Sequence, residues 1–154
     1  MNVRDIMTRN PVTIEADEAV GTAIDLMAER RIRHLPVVDE AGAVVGVITD
    51  RDLRSAALAP ALEEYLSEPA RRRLREIGTA LEALRVRDAM TPRPITTSPE
   101  VTARQAAAIM LEHRIGSLPV VEHGRLVGVV TDRDAVKAVA MQMPSMKRVP
   151  DFLW

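Results

Sequence analysis

A threonine, two aspartates and an arginine stand together at Thr49-Asp50-Arg51-Asp52, and the same four types return in the same order at Thr131-Asp132-Arg133-Asp134. Each run follows an apolar, β-branched stretch ending Gly46-Val47-Ile48 or Gly128-Val129-Val130, so each marks a strand passing directly into a helix. At such a junction, unpaired backbone N–H groups and the positive end of the helix dipole converge, which suits a phosphate or another anion. A carboxylate three residues beyond the threonine can accept from both hydroxyls of a ribose in charge-assisted bonds. Arg51 and Arg133 add a fork for phosphate beside it. The spacing is equally that of a capping box with aspartate in place of glutamate. The two roles are compatible.

The elements that position these residues are themselves duplicated. Val3 to Asp39 aligns without gaps on Val86 to Glu122, and Gly42 to Ala56 on Gly124 to Ala138, with 25 identities in 52 aligned positions. The chain is therefore a tandem repeat, which sets the fold before any single element does. Within repeat one, Val12-Thr13-Ile14 reads as a short strand. Val20, Ala23, Ile24, Met27 and Ala28 then recur at helical spacing. Leu35-Pro36-Val37-Val38 and Val44 to Thr49 flank the turn residues Glu40-Ala41-Gly42 and read as a hairpin. A second helix follows Thr49. Repeat two keeps this β-α-β-β-α order, with its helical stripe at Ala103, Ala106, Ala107, Met110 and Leu111. There Thr102 and Gln105 form a capping box that Ala19 cannot supply in repeat one.

A unit of this size has little core of its own, so the two repeats are expected to face each other about a pseudo-twofold axis with matching clefts between them. The fold class is α+β, an α/β sandwich-like arrangement. The division is 1–56 for repeat one, 57–85 for a connector, 86–140 for repeat two and 141–154 for a C-terminal tail. Ser67 and Pro69 mark a helix start in the connector, and Leu74, Ile77, Leu81 and Leu84 form a narrow apolar seam. The seam packs on its own module or on a second subunit. Arg71-Arg72-Arg73 reads as a solvated face, since no aromatic residues are interleaved with it. The tail carries the chain's one Phe and one Trp and is either loose or docked on a partner subunit.

Composition narrows the function. With 47% hydrophobic and 28% charged residues in 154, the chain has the profile of a folded globular protein. A net charge of −1 gives no bulk attraction to nucleic acid or anionic lipid. There is no cysteine, hence no disulfide, thiolate metal site or cysteine nucleophile. No apolar run approaches the roughly 18 residues of a membrane span, and no leader pattern opens the chain, so the expected location is the cytoplasm. No nucleophile with its base, glycine-rich phosphate loop or metal cluster is present, and His113 and His123 are not spaced as ligands; Asp50 with Asp52 reads as cap and dipole partner. An enzyme is not expected, and neither is a metal.

Met7-Thr8, Leu35-Pro36-Val37-Val38 and Gly46-Val47-Ile48-Thr49-Asp50-Arg51-Asp52, each with its copy in the second half, resemble the tandem cystathionine β-synthase (CBS) domains. The resemblance spans both repeats and leaves out the connector and tail. It implies a regulatory module, here a stand-alone pair, that binds adenine nucleotides or related adenosyl ligands between its repeats and often forms disc-shaped dimers. By resemblance, Thr49 with Asp52 and Thr131 with Asp134 contact ribose. His34, Leu35 and Pro36, and Ser117, Leu118 and Pro119, line the base, with Thr13 and Thr96 as further candidates. Arg51 and Arg133 are left for phosphate. The ligand class is AMP, ADP or ATP, with S-adenosylmethionine, NAD or a cyclic dinucleotide as others, and no required cofactor.

Arg33-His34 in repeat one corresponds to Gly116-Ser117 in repeat two, so the clefts are not expected to bind equally. His34 either titrates near neutral pH and tunes phosphate binding or is a satisfied structural residue. The rival to a nucleotide sensor is a dimeric interaction scaffold with degenerate clefts. A weaker third reading is nucleic-acid binding through the connector arginines.

Overall fold

The structure, a computed structural model, describes residues 1–55 and 83–142. Most of the connector, including Ser67, Pro69, Arg71 to Arg73, Leu74, Ile77 and Leu81, lies outside the described residues, as does the tail from Met143 onward.

The β-α-β-β-α order holds in both repeats, but each begins with an additional short helix and strand that the sequence pattern does not announce. In repeat one these are α1 (Val3–Ile6) and β1 (Thr8–Arg9), followed by β2 (Ile14–Glu15), α2 (Val20–Arg30), β3 (His34–Val38), β4 (Val44–Thr49) and helix α3 from Asp50, described over 50–55. In repeat two they are α4 (Val86–Ala89) and β5 (Thr91–Pro92), followed by α5 (Ala103–His113), β6 (Ser117–Glu122), β7 (Arg125–Thr131) and α6 (Asp132–Gln142). The first inner strand of repeat two is reduced to a parallel bridge between Thr97 and Val120.

The strands form two sheets, and each takes an edge from the other repeat. One has the order β2-β3-β4-β5, the other β1-β7-β6. Thr8 and Arg9 of repeat one lie antiparallel opposite Val129 and Gly128, while Thr91 and Pro92 of repeat two lie opposite Val47 and Gly46. The matched registers express the pseudo-twofold relation. The exchange extends to the cores. Val86 is fully buried with Ile14, Leu35 and Ile48 of repeat one, and Val3 is fully buried with Ala106, Leu118 and Val130 of repeat two. Backbone bonds fix it: Val86 N–H donates to Glu18 O at 2.9 Å and Val3 N–H to Val101 O at 2.8 Å. Arg4 pairs with Glu100 and Arg87 with Asp17 across the same seams.

Glycines make the exchange possible. A Cβ on Gly46 would stand 2.4 Å from Met90 Sδ, and one on Gly128 2.6 Å from Met7 Sδ and 3.0 Å from Thr8 O. A side chain at either position would hold the borrowed strand away.

The hairpin turns differ as their sequences require. His123 and Gly124 both have positive φ and join Glu122 to Arg125 directly, the geometry of a two-residue hairpin loop. In repeat one, Asp39 Oδ1 accepts from Ala41 and Ala43 N–H at 2.9 Å each, and Gly42 takes the left-handed conformation.

The helical stripes are narrower than their spacing suggests. Val20, Ala23 and Met27 are buried, but Ile24 and Ala28 are exposed; in repeat two Ala106 and Met110 are buried while Leu111 is 81% exposed. Thr102 caps α5 as expected, its hydroxyl accepting from Gln105 N–H at 3.2 Å. At α2, where Ala19 has no capping side chain, Val20 N–H instead donates to Leu84 O at 3.0 Å. The end of the connector thus completes a helix that sequence alone leaves open.

Candidate functional site

Both strand-to-helix junctions form the same hydrogen-bonded unit. Thr49 donates from its N–H (2.9 Å) and its hydroxyl (2.8 Å) to Asp52 Oδ2, and Asp52 N–H donates back to Thr49 Oγ1 at 3.2 Å. At Thr131 and Asp134 the corresponding distances are 3.0, 2.7 and 3.3 Å. The capping reading is therefore realised twice. Only Oδ2 of each carboxylate takes part in these bonds, so capping leaves Oδ1 for a further donor. Both aspartates are half-buried, in a setting where such bonds strengthen.

Two clefts lie along the seam between the repeats. The first, of about 430 Å³, combines Thr49, Asp50, Arg51, Asp52 and Arg54 with Thr91, Arg93, Pro94 and Ile95 of the borrowed segment and Arg114 to Ser117 of repeat two. The second, of about 280 Å³, combines Thr131, Asp132 and Arg133 with Thr8, Asn10 to Val12, and Arg31 to His34. Each junction thus receives its opposite wall from the other repeat. Arg33, His34 and Asp132 line both clefts and form the partition between them.

Of the residues singled out from sequence, His34, Thr49, Arg51, Asp52 and Ser117 line the first cleft, and His34, Thr131 and Arg133 line the second. Asp134 stands behind Thr131 through its hydrogen bonds. Leu35, Pro36, Leu118 and Pro119 are buried, the two leucines within the repeat cores, and line neither cleft. Thr13 and Thr96 also lie off both clefts, because β2 and the Thr97 bridge run on the far side of β3 and β6 from the borrowed strands.

Arg93, Pro94, Ile95 and Arg114, and their counterparts Asn10, Pro11, Val12 and Arg31, also line the clefts, and the junction motifs do not point to them. One signal was available: Met-Thr-x-x-Pro occurs at Met7 to Pro11 and again at Met90 to Pro94. Asn10 and Arg93 have φ of 46° and 47°, and Arg31 and Arg114 close their helices in the left-handed conformation with φ of 53°. These bends turn the chain at the cleft margins.

Burial pushes the His34 imidazole below its ordinary value, and Arg33 pushes it further the same way; Asp132, Asp50 and Asp52 oppose this only in part. The folded protein thus favours neutral His34.

Among the described residues no group of His, Cys, Asp and Glu is placed to hold a metal ion, and no helix is long and apolar enough to cross a membrane.

Two repeats that exchange their first elements and enclose two related clefts define a paired module. The chain belongs to the CBS domain family, whose model matches residues 3–59 and 86–141. Inosine-5′-monophosphate dehydrogenase of Aquifex aeolicus is 35% identical over 133 residues, covering 85% of this chain; the chain spans only 23% of that enzyme's length. Among solved structures, CBSX2 of Arabidopsis thaliana in complex with AMP superposes with a TM-score of 0.72 at 28% identity, covering 91% of this chain and 96% of that one. The CBS domain pair of protein MJ0100, in complex with 5′-methylthioadenosine and S-adenosyl-L-methionine, gives a TM-score of 0.71 at 26% identity, covering 93% and 98%.

Proposed function

We propose that the chain is a regulatory module that binds an adenine nucleotide, AMP, ADP or ATP, or a related adenosyl ligand, in the clefts between its repeats. The observation that carries this reading is the Thr49–Asp52 unit, which turns one carboxylate oxygen inward to the cap and leaves the other for a ribose hydroxyl. The helix start and Arg51 beside it suit the phosphate. Adenosyl ligands in two similar structures support the class of ligand. Because each cleft draws on both repeats, a ligand that fits the closed seam stabilises one mutual arrangement of them, and this is the change passed to a partner or to the assembly.

Exposed apolar residues on α5 and α6, with Leu111 81%, Val136 68% and Val139 60% exposed, support a second copy of the chain as that partner. They also support the alternative that the protein is a dimeric scaffold with empty clefts.

Thermal stability measured with AMP, ADP, ATP, NAD, S-adenosylmethionine and cyclic dinucleotides separates the two. At a hundredfold excess over Kd, a ligand adds about 2.7 kcal/mol, or roughly 5–10 °C for a chain of this size. No shift with any adenosyl ligand leaves the scaffold. A shift that survives both Asp52→Ala and Asp134→Ala keeps binding and removes the ribose assignment.

A further inference from the structure

The internal duplication allows each cleft to serve as the control for the other. The first cleft is lined by five arginines, Arg33, Arg51, Arg54, Arg93 and Arg114. Two of these are matched in repeat alignment by arginines of the second cleft, Arg51 by Arg133 and Arg114 by Arg31. Arg33 itself lines both clefts, and the remaining two have no arginine counterpart: Arg54 corresponds to Val136 and Arg93 to Asn10. The linings carry the same formal charge once their aspartates are counted, so net attraction does not separate them. What separates them is the number of guanidinium forks that can each grip a phosphate, and the volume, about 430 against about 280 Å³.

The pairing of the extra arginines points the same way. Arg54 is held over the first cleft by Asp50 at 3.1 Å, with the arginine side chain 68% exposed. An exposed i,i+4 pair of this kind is weak, so a phosphate can recruit Arg54 at little cost. Arg93 is carried on the borrowed segment, whose left-handed φ of 47° is shared by Asn10 at 46°. The two segments turn alike and differ in what they present.

We infer that the clefts divide their ligands by phosphate number: the first takes a nucleoside di- or triphosphate, and the second a nucleoside or its monophosphate. This rests on the adenosyl-binding reading above and assigns its two sites. Arg54 and Arg93 are the residues that read the phosphate tail, while the hydrogen-bonded Thr–Asp unit recurs at both junctions.

The experiment is calorimetric titration with AMP, ADP and ATP. The wild-type chain is expected to show one site that prefers ATP and ADP over AMP by at least about tenfold, and one with no such preference. Arg54→Val with Arg93→Asn places the second cleft's residues in the first; it should remove the preference while AMP affinity changes by less than about threefold. The reverse exchange, Asn10→Arg with Val136→Arg, should create a second ATP-preferring site, and it keeps the inference testable if the first variant folds poorly. An ATP preference that survives the first exchange, or AMP and ATP bound equally at both wild-type sites, overturns the division while leaving nucleotide binding intact. Absence of binding by all three nucleotides and by the other adenosyl ligands overturns both.

Discussion

His34 Nε2 stands 3.1 Å from the point that a Cβ on Gly116 would occupy, with Asp132 Oδ2 3.8 Å from the same point. Gly116 is therefore the space into which His34 packs, and the partition between the clefts depends on a glycine in one repeat and an imidazole in the other. Gly116→Ala should push the imidazole from this position, cost about 1 kcal/mol as a small-to-large change in a packed site, and alter ligand affinity in both clefts. Gly116→Ala combined with His34→Ser should recover the lost stability. Paired melting and titration experiments check this; independent, additive effects of the two changes would show that they do not share the space.

The depressed His34 value fixes the sign of a pH effect. The unfolded chain takes up this proton near 6.5 and the folded chain only at lower pH. Between the two the unfolded state holds more protons, so stability rises with pH; the contribution is complete above 6.5 and is lost as pH falls through the folded value. His34→Ser should flatten the melting temperature between about pH 7.5 and about pH 5.5. An unchanged slope would mean that His34 is not the group responsible.

Asp52→Ala and Asp134→Ala each remove the acceptor of two hydrogen bonds at a helix start. Each should cost about 1 kcal/mol, or about 2–4 °C in melting temperature. Each should also abolish binding at its own cleft far more than at the other. Site-resolved NMR titration distinguishes this from a general loss of fold.

The exchange of first elements makes destabilisation cross the repeat boundary. Val86→Ala should cost about 2 kcal/mol and raise amide exchange in β3 and β4, the strands of repeat one around which it packs. Val3→Ala should do the same to β6 and β7. Exchange confined to the mutated residue's own repeat would contradict the observed packing.

Gly128→Ala should be more damaging than Gly46→Ala. Both added methyl groups meet a mobile methionine sulfur, but the nearest backbone oxygen lies at 3.0 Å for Gly128 and 3.2 Å for Gly46. Costs of about 1–3 kcal/mol are expected, in that order by chemical denaturation, since a sulfur can move and a strand carbonyl cannot.

Much of this protein is written in local pattern. The duplication, the order of helix and strand within each repeat, the hairpins and the two Thr–Asp caps all depend on residues a few positions apart, and periodicity and turn chemistry report such separations directly. The caps show this best: Thr49 with Asp52 and Thr131 with Asp134 lie three residues apart, and their bonds follow from spacing alone. The opposite cleft walls were not legible in this way. Thr91 to Ile95 reach the Thr49 junction because two β-strand residues pair across the repeats, and a two-residue strand has too short a period to register in sequence. Leu35 and Leu118, expected from the Leu-Pro-Val runs to line the base, lie in the repeat cores: β3 is flanked by β2 and β4, β6 by β7 and the Thr97 bridge, both leucines are wholly buried, and the cleft receives only the residues at the N-terminal ends of the two strands, His34 and Ser117. Local pattern thus accounts for the parts and the chemistry of each junction. Which repeat completes which cleft was settled only in three dimensions, because backbone pairing and core burial between segments distant in the chain leave no local trace.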